Sequence, residues 1–97
     1  MKAVMIIYNQ TVSDKIDFIL DHLELRGFTT WKEVSGRGSV AGEPRMGTHT
    51  WPEQNAATLV VVPDGKVDAL LEGVEKLDRI SEEVGVRAFV WGVERSY

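Results

Sequence analysis

Residues 56–80 read AATLVVVPDGKVDALLEGVEKLDRI, and the change of rhythm inside this stretch decides the fold. Residues 56–62 are a run of small and β-branched side chains broken only by Leu59, with apolar residues on both faces of a strand. Pro63, Asp64 and Gly65 close that run in a turn. Beyond them Val67, Leu70, Leu71, Val74, Leu77 and Ile80 recur at three- and four-residue intervals, which makes one helical stripe. Gly73 weakens that helix a little. Gly85 stops it, and residues 86–93 form a last strand.

The same alternation precedes the stretch. Residues 3–8 are strand-friendly and apolar on both faces. Thr11 and Ser13 offer helix caps, and Thr11 with Asp14 fits a capping box. Ile16, Ile19, Leu20 and Leu23 then make a first helical stripe, which Gly27 ends as a left-handed C-terminal residue. Phe28, Thr29, Thr30, Trp31 and Val34 suit a pleated sheet across residues 28–35. From 36 to 55 the pattern dissolves among Gly36, Gly38, Gly42, Pro44, Gly47 and Pro52, and a loop this long in a compact domain is usually functional or disordered. The order strand, helix, strand, strand, helix, strand predicts an α+β, ferredoxin-like βαββαβ sandwich, an antiparallel sheet with two helices on one face.

Ninety-seven residues allow one domain, spanning 1–97, because two separate cores would be too small to hold. Apolar residues at 43% and charged residues at 27% place the chain among globular proteins rather than disordered ones. The absence of cysteine excludes disulfides, thiolate catalysis and cysteine-based zinc sites, and it favours a cytoplasmic location. The apolar run at 3–8 is too short for a signal-peptide core, and no stretch has the roughly 20 apolar residues of a membrane helix. A net charge of −4 without a basic block argues against a nucleic-acid partner.

With both helices on one face, the other face of the sheet should be polar, and here it is not. The first and third strands are apolar on both sides, and in the last strand Phe89 and Trp91 oppose Val86, Ala88 and Val90. Monomers avoid so large an exposed patch, so a ring of identical copies must cover it, the alternative being a C-terminal segment or the long loop folding back.

Gly36-Arg37-Gly38-Ser39 is the most suggestive motif: glycines let a backbone approach an anion and point N–H groups at it, and Arg37 adds charge. The bland alternative is a flexible turn, since no helix follows to make a phosphate-binding loop. Arg87, near the start of the last strand, is either a phosphate clamp or an edge arginine paired with a carboxylate. His49, with Glu43 and Glu53 in the same loop, offers a weak metal set, because no tight histidine spacing accompanies it. His22 lies where it meets a helix dipole and reads as structural. The serines lack the context of a nucleophile and Glu82-Glu83 reads as solvated surface, so nothing argues for an enzyme.

Several pieces together resemble the PII family of signalling proteins, in the right order and over nearly the whole chain. Residues 25–29, LRGFT, resemble the family's turn into its second strand, and residues 33–38, EVSGRG, the entry to its long T-loop. Val61-Val62-Pro63-Asp64 and the helix after it are similar to its third strand and second helix. Phe89-Val90 and Val93-Glu94 resemble its last strand. The resemblance implies a homotrimer with sheets packed inside and adenine-nucleotide sites in the clefts between subunits. It implies T-loops that reach a regulated enzyme or membrane transporter, without membrane insertion. Gly27, Phe28 and Thr29 would frame the base, Gly36, Arg37, Gly38 and Ser39 the phosphates, and Arg87 falls where the family places a phosphate-binding lysine.

The chain departs from that pattern in places. Residues 80–84, ISEEV, replace the family's glycine- and lysine-rich B-loop, Val40 stands where a glutamine is expected, and the arginines of the family's C-terminal extension are missing because the sequence stops at Tyr97. No tyrosine occurs in the loop, so the family's uridylylation site is missing. Each charge-assisted bond lost weakens phosphate binding by ~1.5–3 kcal/mol. The expectation is a divergent PII-like regulator that needs no cofactor and responds to a small anionic effector of the ATP, ADP or AMP type. Glu43, Arg45, His49 and Trp51 then form the partner-binding part of the loop. The alternatives are a metal-responsive trimer like the CutA-like relatives, or a ligand-free interaction module anchored by Trp51.

Overall fold

The computed structural model describes residues 1–37, 44–45, 54–80 and 85–97, with only the backbone described at 36–37 and 44–45. The elements are β1 (Lys2–Asn9), a 3-10 turn (Gln10–Val12), α1 (Ser13–His22), β2 (Phe28–Val34), β3 (Gly36–Arg37), β4 (Pro44–Arg45), β5 (Asn55–Val62), a second 3-10 turn (Asp64–Lys66), α2 (Val67–Ile80) and β6 (Val86–Gly92). Strands β2, β5, β1 and β6 form one sheet in that order, every pair antiparallel. The two runs read as apolar on both faces, β1 and β5, take the two central positions, where no strand edge is left unpaired.

Side chains alternate across the sheet, and the even-numbered positions of β1 decide which face is the core. Val4, Ile6 and Tyr8 join Ala56, Val60, Val62 and Val86 from the sheet, Ile16 and Leu20 from α1, and Leu70, Val74 and Leu77 from α2 in a single buried cluster. Both helices therefore lie on one face. They approach closely at Gly73, where a Cβ would stand 3.2 Å from Ile19 Cγ2. What reads as a weak helix position is the place where the two helices touch. Inside this core the Tyr8 hydroxyl meets Thr58 Oγ1 at 2.8 Å, and Thr58 Oγ1 meets Thr30 Oγ1 at 2.9 Å, which satisfies polar groups that cannot reach water.

Four local expectations need correction. The residue capping α1 is Val12, with no side-chain cap, so Thr11 and Asp14 do not form a capping box. Asn9 does the capping one turn earlier: its Oδ1 accepts from the Thr11 N–H at 2.9 Å and starts the 3-10 turn. The C-terminus of α1 is not closed at Gly27 but at Glu24, which takes the left-handed conformation at φ 59°. The Leu25 N–H reaches the Leu20 carbonyl at 2.8 Å and the Glu24 N–H the Asp21 carbonyl at 3.0 Å, the two bonds of a Schellman ending, with Leu25 buried beside it. Ile80 is exposed rather than part of the buried stripe, because α2 ends there. Finally, the region read as patternless holds a short ladder, with Gly36 opposite Arg45 and Arg37 opposite Pro44.

Candidate functional site

The face of the sheet turned away from the helices carries the odd-numbered positions of β1. Register places Trp91 and Val61 beside Ala3, Phe89 and Leu59 beside Met5, and Arg87 and Ala57 beside Ile7. Thr29 extends the Leu59 row and Trp31 the Ala57 row on β2. Phe89 is 54% exposed, Trp91 48%, Trp31 46% and Val61 46%. Within one chain nothing among the described residues covers this face.

Four of the sequence-predicted residues fall on the two edges of that sheet. Gly27, Phe28 and Thr29 enter β2, all three exposed, and a side chain built on Gly27 would meet nothing within 4 Å. Gly27 also lacks the positive φ that would demand a glycine. Arg87 stands on β6, the opposite edge, with β5 and β1 between. At 4.7–4.9 Å per strand the two edges lie about 14 Å apart. One chain does not bring the predicted base frame and the predicted phosphate clamp together.

The geometry around Arg87 is well defined. Its Nη1 donates to Asp78 Oδ2 at 3.1 Å and to the carbonyl of Val86 at 2.8 Å. The other oxygen of Asp78 accepts from the Val86 N–H at 2.8 Å. Asp78 thus bridges a cation and a backbone donor at the head of β6. The sequence allows a carboxylate partner for Arg87 as one alternative but does not single out Asp78. The signal available is its position: an aspartate in the last turn of a helix opposes the helix dipole and needs a positive neighbour to remain there. The described group with a resolved titration shift is Asp64, held below its usual range first by a hydrogen bond from the Met1 amino group at 2.5 Å and then by that group's charge.

Gly36 and Arg37 are placed by backbone alone, as the start of the short β3–β4 ladder, and so is Arg45. Gly38, Ser39, Glu43, His49, Trp51 and Glu53 lie outside the described residues, as do residues 81–84. Among the described residues no three histidine, aspartate or glutamate side chains gather as a metal set, and no helix is long and apolar enough to cross a membrane.

The family model for the nitrogen regulatory protein P-II matches residues 1–97. No curated protein matches the sequence. Among solved structures, the chain resembles CPII, a nitrogen regulatory PII-like protein from Thiomonas intermedia K12, bound to ADP, AMP and bicarbonate. That likeness has a TM-score of 0.74 at 23% identity, over 93% of this chain and 82% of the other. The apo form of the same protein is similar with a TM-score of 0.67 at 20% identity, over 98% of this chain and 92% of the other. At these identities the likeness establishes a shared fold.

Proposed function

The chain belongs to the nitrogen regulatory protein P-II family, and from that premise we propose that it is a trimeric signal-transduction protein which binds an adenine nucleotide between copies and acts on a partner enzyme or transporter through residues 36–55. The observation that carries the reading is the separation of the two sheet edges. Gly27–Thr29 and Arg87 are about 14 Å apart in one chain, and setting the β2 edge of one copy beside the β6 edge of the next makes a cleft with both sets of groups. The uncovered apolar face gives the copies a reason to assemble, since joining the sheets removes Phe89, Trp91 and Trp31 from water. In that cleft Phe28 and Thr29 hold the base and Arg87 contacts phosphate. Gly36, Arg37, Gly38 and Ser39 join Arg87 at the phosphates, and loop residues Glu43, Arg45, His49 and Trp51 meet the partner.

ADP, AMP and bicarbonate are the ligands named for the CPII structures, so they form the first set to test. Calorimetry on the light-scattering-verified trimer should give binding of ADP or AMP, and Arg87→Ala should weaken it by roughly tenfold, the value of one charge-assisted bond. An assembled trimer that takes up no adenine nucleotide, with or without bicarbonate, overturns the nucleotide reading.

A further inference from the structure

The Asp78–Arg87 bridge bears on ligand choice, an inference that rests on the nucleotide reading above. An anion seated at the head of β6 would be offered two donors: the guanidinium of Arg87 and the backbone N–H of Val86. In the structure both are already engaged by the two oxygens of a single carboxylate, at 3.1 Å and 2.8 Å. That is how a phosphate would be held, one oxygen on a guanidinium and another on a main-chain N–H. We propose that Asp78 is a built-in anion occupying the phosphate end of the site, and that it sets specificity against highly charged phosphates.

Two observations support more than a structural staple. Asp78 lies in the last turn of α2, beside the partial negative charge of the helix, so it is placed where an acid is least stable. The pair is also open to exchange: its side chains are 32% and 57% exposed, which keeps the bond weak enough for a ligand to displace. A phosphate arriving at Arg87 must take the guanidinium from Asp78 and then remain beside a full negative charge. The repulsion grows with the charge of the ligand, so it costs least for AMP, more for ADP and most for ATP.

Asp78→Asn is the test, because its amide oxygen still accepts from Val86 N–H while the charge is gone. Calorimetry with the trimer should show affinity rising about three-fold for AMP and by up to about thirty-fold for ATP, with adenosine unchanged and the difference shrinking as salt is raised. Asp78→Ser, which also keeps a short acceptor, should follow the same order and serves if the asparagine variant is unstable. Equal gains for adenosine and ATP, or no gain for either variant, overturn the assignment while leaving the nucleotide reading intact. No binding of any nucleotide by the wild type and both variants overturns both together.

Discussion

Thr58 sits fully buried between two other hydroxyls, and its place there is more demanding than that of any apolar neighbour. Removing its oxygen by Thr58→Val leaves the Tyr8 hydroxyl buried with no partner, which costs about 1–3 kcal/mol. Tyr8→Phe costs less, about 0.5–1.5 kcal/mol, because Thr58 keeps Thr30. The double variant should lose clearly less than the sum, since no orphaned group remains beside β1. Urea denaturation of the four proteins checks this, and additive losses would mean that the bond carries no coupling. In the sequence Tyr8 and Thr58 are visible only as members of strands. Nothing in the spacing reveals that diagonal neighbours on adjacent strands face each other, because register is set by the whole sheet. Arg87 is readable as a paired or phosphate-binding arginine, but the identity of its carboxylate depends on where the last turn of α2 meets β6, which is a tertiary fact.

At the level of elements, periodicity makes both helices and the four long strands visible, while their ends are not. A helix stripe is a property of side chains, but the closing of α1 is made by backbone bonds from Leu25 and Glu24, which any sequence with room for a left-handed residue can form. Glycine is the usual occupant of that position, and the nearest one, Gly27, is three residues too late. Glu24 therefore holds φ 59° against the preference of its side chain. Glu24→Gly should raise stability by up to about 1 kcal/mol, reduced by the greater freedom of glycine in the unfolded chain. A rise in the urea midpoint with an unchanged slope is the expected result, and a fall would mean that the glutamate side chain makes a compensating contact. The short β3–β4 ladder is hidden for a similar reason. Its two-residue strands carry glycine and proline, which announce a loop and say nothing about pairing.

For the whole molecule, the deciding question is whether the face opposite the helices is an interface and whether the ligand site depends on it. Phe89 tests both at once. It is half exposed on the edge strand β6, opposite Met5, and contributes nothing to the core between sheet and helices. Phe89→Glu should leave one chain folded, with an unchanged far-ultraviolet spectrum, because the new carboxylate stands in water. In an assembly the same carboxylate would be buried once per copy against apolar neighbours without a partner, a penalty of several kcal/mol for each. Light scattering should then report a monomer for the variant and, under the proposed assembly, a trimer for the wild type. The monomer keeps Arg87, Asp78, Phe28 and Thr29 in their places, since these depend only on the sheet and α2. If the site needs two edges from two copies, the monomer should lose nucleotide binding by at least a hundredfold although every residue of the site is present. Wild-type affinity in a verified monomer would put the whole site within one chain and break the link between assembly and ligand binding. The apolar pattern on both faces of β1 and β5 points to an unmet need for burial, but only the strand order puts Gly27–Thr29 and Arg87 on opposite edges of the sheet, the two edges that the proposed assembly would bring together.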